Sequence, residues 1–454
     1  MISSVLKCCL VGACLGVVSC AGHQGSRLDP PQGFSHAESF EARSPGLKER
    51  PAVAPQGRLE DYTHYAIRNS PALQASHARW VAAVSRVGSA GKLPEPTLTY
   101  GLFVQRVETR VGPQRHRFGL RFDLPWPTKT QAESDAAASE ASAARYDFEA
   151  RALALHCRVS EAYWALWSLQ RIREVHADHL ALIQQLAAAV RGRIETGQAT
   201  VVDMSQVELK VSRVLDTVAG LGALETSAGA RLLSLVGAPL GDGAPVSAAP
   251  FPGVSVSESE TDLRAQARQH PRVGALVMLA EARRASTRRA AASRMPDVHL
   301  GLNFIETGAL EGPASPESGK DPLEAIMGLS LPIWRGAYDA DESASAAELL
   351  ALEHRREAVQ DELEAKVVAT VARIEDTARR MDFLKGTLIP QAQTAYGSAV
   401  GSYEASGGMP ALLMAFEQLL ELRLELVRAR ADHAVAWALL EGAVGRPVAG
   451  EVTP

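Results

Sequence analysis

The amino-acid sequence predicts a mainly α-helical fold with a transmembrane β part. Three observations on this chain of 454 residues carry the prediction: helical periodicity over very long stretches, four short segments in which apolar residues alternate, and a layout that occurs twice. The composition agrees, because 46% of the residues are hydrophobic but only 5% are aromatic. Alanine, leucine and valine supply much of the hydrophobic share, which suits long, closely packed helices.

Charge and cysteine usage exclude several classes of protein. The net charge is −5 and no Lys/Arg block is long enough for a nucleic-acid-binding arm, so no nucleic-acid partner is expected. Four of the five cysteines (Cys8, Cys9, Cys14 and Cys20) lie within the first twenty residues, which leaves Cys157 alone. A disulfide framework and a four-cysteine zinc site are therefore excluded for the body of the protein, where we expect Cys157 to be an inert buried thiol.

The first residues form a predicted export signal that ends at a lipid attachment site. Lys7 precedes an apolar run over residues 8–18, which as a helix would rise only about 16 Å and could not cross a hydrocarbon core of about 30 Å. Residues 1–19 are therefore predicted to be a signal peptide. The run Val17-Val18-Ser19-Cys20 resembles a bacterial lipobox, which implies lipidation of Cys20 and, with Ala21 next, an outer-membrane anchor. The alternative is an ordinary secretory signal with an incidental cysteine.

Behind this leader, the chain contains one structural unit twice. A linker (residues 20–57) precedes the first repeat, a second linker (241–261) precedes the second repeat, and a short tail (449–454) ends the chain. The repeats span residues 58–240 and 262–448, and each reads as an Ala-rich helix, two alternating segments, a long helix, a Gly-containing break and a last helix. The alternating segments close on Leu124-Pro125-Trp126 and Leu331-Pro332-Ile333-Trp334, and the repeats close on Val236-Gly237-Ala238-Pro239 and Val444-Gly445-Arg446-Pro447. The shared order indicates a duplication.

The long helices carry coiled-coil spacing. Apolar residues step by four and three along both of them, and a helix of roughly 60 residues would extend about 90 Å. The apolar residues with this spacing, which we expect to pack against neighbouring helices, are Phe148, Ala152, Leu155, Val159, Ala162, Leu166 and Leu169 in the first repeat, and Leu363, Val367, Val371, Ile374, Ala378, Met381, Leu384 and Leu388 in the second. An ordinary helical bundle is the alternative, but its helices are usually much shorter.

The alternating segments predict four half-buried strands, at about residues 96–106, 114–124, 297–306 and 323–332. Each has the length of a tilted strand that crosses a bilayer. Trp126 and Trp334 follow corresponding strand ends, where interfacial aromatic residues would lie. A small soluble sheet packed on helices is the alternative.

Four strands in lipid would leave two edges unpaired, so the chain must oligomerise if the strands cross a membrane. Two copies would give eight strands and a filled interior, whereas three would give twelve strands and a lumen.

Taken together, these features resemble the TolC-like outer-membrane efflux family over about residues 58–448. The resemblance rests on the lipobox leader, the duplicated layout, the Leu-Pro strand ends and the run Leu388-Ile389-Pro390-Gln391-Ala392 that leads to Tyr403 and Gly407. The run Lys92-Leu93-Pro94-Glu95-Pro96, directly before a strand, is most similar to the heavy-metal-type branch. The resemblance implies a homotrimer with a twelve-stranded outer-membrane barrel, which a periplasmic α-helical barrel continues. A periplasmic adaptor protein and an inner-membrane pump would dock onto that helical barrel.

The same resemblance implies where function resides. The turn after the first long helix would be a periplasmic tip that contacts the adaptor, and Arg193, Gly197 and Thr200 fit its pattern. The second turn, at Gly407 and Gly408, departs from that pattern.

Asp203 follows the first tip at a position where the resemblance implies a pore-facing carboxylate and a gate. Leu413 stands at the matching place of the second repeat. The alternative for Asp203 is an exposed acid that complements the N-terminal helix dipole.

No arrangement of residues in the sequence points to an enzyme, a cofactor or a metal site. The run Gly88-Ser89-Ala90-Gly91-Lys92 lacks the upstream glycine and following Ser/Thr of a phosphate loop. His176 and His179, with Asp178 between them, could hold a metal, but a solvated polar face is favoured. We therefore expect a passive duct that carries pump-delivered solutes, either metal ions or drugs, from periplasm to exterior. The alternative is a periplasmic coiled-coil adaptor or structural lipoprotein without a channel.

Overall fold

The computed structural model describes residues 57–105, 107–240, 254–309, 318–406 and 408–452. The predicted signal peptide, Cys20 and nearly all of the first linker lie outside these residues.

Long helices dominate the described chain. The longest has 69 residues and extends about 100 Å. In chain order the helices are α1 (Leu59–Asn69), α2 (Pro71–Val87), α3 (Pro127–Glu195), α4 (Val201–Val236), α5 (Glu260–Ala267), α6 (Pro271–Ala292), α7 (Arg335–Phe383), α8 (Ile389–Ser406) and α9 (Met409–Val444). A π-helical turn, Leu384–Leu388, joins α7 to α8. Among the described residues, no helix has the length and apolar character needed to cross a membrane.

The strands form one main sheet and one small ribbon. They are β1 (Thr97–Leu102), β2 (Glu108–Thr109), β3 (Gly112–Leu124), β4 (Val254–Val256), β5 (Val298–Thr307), β6 (Leu323–Leu329) and β7 (Gly450–Val452). The main sheet is antiparallel in the order β1-β3-β5-β6, and β2 pairs with β3. Because β3 pairs with β5, the two repeats meet in the middle of the sheet, and β1 and β6 are its outer strands.

The small ribbon forms where the sequence predicted only a linker and a tail. Strand β4, inside the predicted linker over 241–261, pairs with β7, inside the predicted tail over 449–454. Glu258 holds the two together, because its carboxylate accepts hydrogen bonds from Arg446 Nη2 at 2.6 Å and from the Ala449 amide at 3.1 Å. The chain therefore ties its end to the segment between the repeats.

Three hydrophobic clusters hold the helices together, and α9 contributes to each of them. Tyr62 of α1, Trp167 of α3 and Leu232 of α4 lie in the first cluster. Leu263 of α5 and Val367 of α7 lie in the second. The third, toward the helical tips, joins α3, α4, α8 and α9 through Ile183, Val207, Tyr403 and Phe416. Helix α9 therefore fuses the two repeats along most of their length.

Candidate functional site

One face of the main sheet is apolar and exposed. The strand register aligns Leu98, Leu120, Leu302 and Ala325 across the four strands, and every second residue on either side adds to the same face. Its exposed large residues are Leu98, Tyr100, Leu102, Phe118, Phe122, Leu300, Leu302, Leu323, Met327 and Leu329. Met327, for example, is 71% exposed. An apolar band of this extent marks a surface that another apolar medium or molecule covers.

The opposite face of the same sheet is polar. Asp123 Oδ1 lies 2.7 Å from Arg121 Nε and 2.6 Å from His299 Nδ1. Asn303 Nδ2 donates to Glu324 Oε2 at 3.0 Å from the neighbouring strand. The sheet therefore has the two-sided character of a barrel wall between an apolar exterior and a wet interior.

Aromatic residues lie at both ends of the apolar band. Trp334, after the end of β6, is 72% exposed. Trp126, after the end of β3, is also exposed, and its backbone amide donates to Asp297 Oδ1 at 2.9 Å. At the other end, the Tyr100 hydroxyl lies 2.9 Å from His116 Nδ1 and the two rings stack. The contact between Tyr100 and His116 could not be predicted from the sequence, because a cross-strand partner is known only once the register is known.

At the first tip, a capping box forms the turn into α4. Gly197 has a positive φ of 72°, and no neighbouring atom would contact a side chain there. Thr200 Oγ1 accepts a hydrogen bond from the Asp203 amide at 3.2 Å, and Asp203 Oδ2 accepts from the Thr200 amide at 2.9 Å and its hydroxyl at 2.8 Å. The carboxylate of Asp203 thus caps the helix, as the alternative interpretation of this residue expects.

Arg193 does not point outward from the first tip. Its guanidinium carbon lies 4.9 Å from the centre of the Tyr403 ring, and its Nη1 donates to the Glu404 backbone oxygen at 3.1 Å. Both partners belong to α8, so the predicted adaptor-contact arginine binds the other hairpin of the same chain.

At the second tip, Gly408 precedes α9 with a φ of 147°, and Gly407 lies outside the described residues. Met409 and Leu413 are buried in the third cluster. The residue that matches Asp203 in the second repeat is therefore part of the core.

Three apolar residues near the tips are exposed, which was not predicted from the sequence. Val201 is 73% exposed, and Val202 and Met414 are exposed to a similar degree. Two consecutive valines directly after a capping threonine were the available signal, because the first turn of a helix usually faces water.

The solvated face predicted for His176 and His179 is wrong for His179, whereas His176 is half-buried. His179 is buried and stacks on Phe416 of α9, with ring centres 3.6 Å apart. Nor do the described residues contain a group of three or more His, Cys, Asp or Glu side chains that could hold a metal ion.

Comparison with known proteins identifies the fold. Residues 63–238 match the family model described as "Outer membrane efflux protein". No match was found among curated proteins. A membrane protein from Pseudomonas aeruginosa is similar in structure, with 17% sequence identity and a TM-score of 0.72 over 89% of this chain and 99% of that chain. VceC from Vibrio cholerae has 19% identity and a TM-score of 0.69 over 86% of this chain and 96% of that chain. CusC has 16% identity and a TM-score of 0.73 over 87% of this chain and 96% of that chain.

These findings define the class of protein. The first repeat carries the sequence features of outer membrane efflux proteins, and the fold of outer-membrane channels extends over both repeats. The resemblance to the TolC-like outer-membrane efflux family is confirmed by the family model over the first repeat and by the shared fold over both repeats.

Proposed function

We propose that three copies of this chain form a passive duct in the outer membrane, the exit channel of a tripartite efflux system. The observation that carries the proposal is the main sheet, which is apolar and exposed on one face, polar on the other, and mounted on helices about 100 Å long. Such a sheet suits a wall between lipid and water.

The outer strands support closure by threefold assembly. Strand β1 of one copy would lie beside β6 of the next, and the antiparallel order β1-β3-β5-β6 continues across that contact without interruption. Twelve strands leave a lumen, whereas the eight strands of a dimer would leave the interior filled by side chains. In the trimer the polar face lines the lumen and the apolar face meets lipid, with Trp126 and Trp334 at one interface.

The helices would extend into the periplasm and end at tips that an adaptor protein contacts. The turns at Gly197, Thr200 and Gly408 would form these tips. The exposed side chains of Val201, Val202 and Met414 would offer the adaptor apolar contacts. An inner-membrane pump would deliver the solute, so that the duct itself needs no catalytic residue, cofactor or metal. Cys20 would add a lipid anchor to the same membrane.

Opening would occur by separation of the coiled coils at the tips. Asp203, repeated by the threefold axis, would place three carboxylates near the pore and favour cations there. The pump, rather than this chain, would decide whether metal ions or drugs are carried.

The test is the purified, lipid-reconstituted protein. We expect a trimer by native mass spectrometry and discrete conductance steps in planar bilayers. In cells, deletion of the pump should abolish export and leave the trimer in the outer membrane. A monomer without conductance would overturn the proposal and favour a structural lipoprotein or adaptor.

A further inference from the structure

We propose that His179, with His176 beside it, makes the contact between the two hairpins of each chain sensitive to acid, so that acidification favours their separation near the tips. The two hairpins are α3 with α4 and α8 with α9. The consequence for transport depends on the proposed duct, whereas the separation itself can be observed without a channel.

The geometry places His179 where the hairpins meet. Its side chain is 8% exposed and stacks on Phe416 of α9 with an angle of 24° between the ring planes. A small cavity beside the ring is lined from three helices, among them by Tyr396 of α8 and by Leu419 and Arg423 of α9. A charged imidazolium here would be largely removed from water while the hairpins remain in contact.

Charged groups from α4 and α9 surround this site. Arg423 approaches His179 from α9, and Lys210 approaches from α4. His176 faces Arg428 and Glu421 of α9, and its Nδ1 is buried without a hydrogen-bond partner. The helices packed on this pair thus contribute three cations and two carboxylates, because Lys210 pairs with Glu417 and Arg428 pairs with Glu421. Tyr396 is neutral in the physiological range.

Burial and the nearby cations both lower the pKa values of the two histidines. Burial, then His176, Arg423 and Lys210, lower the pKa of His179 from 6.5 to about 4. The pKa of His176 is also lowered, by burial and by Arg428, with Glu421 opposing. The packed contact therefore requires both rings to be neutral.

The difference between the pKa of His179 in the packed contact and its ordinary pKa decides how acid acts on the hairpins. The contribution of neutral His179 to hairpin contact is complete above pH 6.5 and is lost as the pH falls toward 4. If separation returns the ring to water and to its ordinary pKa, a change from pH 7.5 to pH 5 shifts the balance toward separation by up to about 30-fold.

Other polar contacts across the same seam do not share this response. Lys210 pairs with Glu417, and Arg193 binds the Glu404 backbone oxygen. Lysine and arginine stay charged, and an exposed glutamate stays mostly ionised, between pH 7.5 and 5. The acid response is therefore specific to the histidine pair.

The experiment measures hairpin separation by electron paramagnetic resonance. Spin labels are attached at Glu195 and Glu404, both exposed and on opposite hairpins, in a Cys157→Ala background. We expect one short intrachain distance at pH 7.5 and an additional longer distance at pH 5. His179→Phe keeps a stacking ring that cannot titrate and should abolish the longer distance. His354→Phe, at an exposed histidine on α7, is the matched control and should retain it.

Each outcome decides the proposal. A His179→Phe protein that still separates at pH 5 overturns it, as does a parent protein with the same distances at both pH values. If His179→Phe has lost helix content at pH 7.5, His179→Gln is measured in its place with the same expectation. Conductance of the same samples separates the two ideas: acid separation without any conductance supports the inference and counts against the duct.

Discussion

The guanidinium group of Arg193 lies 4.9 Å from the ring of Tyr403, and the two residues come from different repeats of the chain. Arg193 lies in the last turn of α3 and Tyr403 in the last turn of α8, so this cation–π contact closes one hairpin on the other close to the tips. Such contacts contribute about 0.5–2 kcal/mol, depending on how far they are removed from water. In a duct that opens at its tips, the contact would oppose opening.

Loss of this contact should favour the open tip. We expect Arg193→Gln to raise the open probability in bilayers by roughly 5- to 30-fold, because both the cation–π contact and the bond to the Glu404 oxygen are removed. Arg191→Gln, at an exposed arginine one half-turn away, is the control. Equal open probabilities for these two variants would contradict the assignment.

Tyr403 offers a second test of the same contact. Its hydroxyl is buried without a hydrogen-bond partner, so Tyr403→Phe keeps the ring and should open little more than the parent protein. Tyr403→Leu removes the ring but leaves the bond to the Glu404 oxygen, so its open probability in bilayers should lie between those of the parent protein and Arg193→Gln.

Cys157 and Gly442 fit together as a second pair across the repeats. A side chain at Gly442 would collide with Cys157 Sγ, which is half-buried and donates to the Ala438 oxygen at 3.3 Å. Burial raises the pKa of this thiol to about 11, so it stays protonated and inert at neutral pH. We expect Gly442→Ala to destabilise the protein by about 1–3 kcal/mol, measured by thermal unfolding followed by circular dichroism.

Removal of the sulfur should reverse that effect. In the double variant Gly442→Ala, Cys157→Ala, the collision with Sγ is absent, so most of the lost stability should return. Gly397→Ala, on α8 with open space around it, is the control and should be neutral or slightly stabilising. A double variant as unstable as Gly442→Ala would show that another contact is responsible.

Much of the fold was predictable because its signals are local. Alternation places Phe118 and Phe122 on one face of β3, and the heptad spacing picks out Leu155 and Val159, which are buried. The capping role of Asp203 was also readable from Thr200 three residues earlier. Each of these features depends on residues within a turn or two of one another.

The features that could not be predicted depend on contacts far apart in sequence. Strands β4 and β7 have three residues each and lie almost 200 positions apart, so neither has a period to detect. Similarly, the ring of His179 stacks on Phe416 of α9, a partner far away in the sequence. Arg193 looked like a surface residue until Tyr403 was placed beside it.

The two roles considered for Asp203 predict different outcomes for two substitutions. Thr200→Ala removes the side-chain cap but keeps the carboxylate, whereas Asp203→Asn removes the charge. If Asp203 faces the pore, Asp203→Asn should lower the cation preference measured by reversal potentials in a salt gradient, and Thr200→Ala should not. If capping is its only role, both should leave the reversal potential unchanged and each should cost about 0.5–2 kcal/mol of stability.

The orientation of the main sheet can be tested with one charge placed on either face. Met327 lies on the apolar face and Ile326, its neighbour in β6, on the polar face, and both are exposed. An arginine facing lipid costs up to about 4 kcal/mol, whereas one facing a water-filled lumen is tolerated. We therefore expect Met327→Arg to be depleted from the outer-membrane fraction and Ile326→Arg to insert normally. Equal insertion of the two variants would mean that the apolar face does not meet lipid, and it would favour a small soluble sheet.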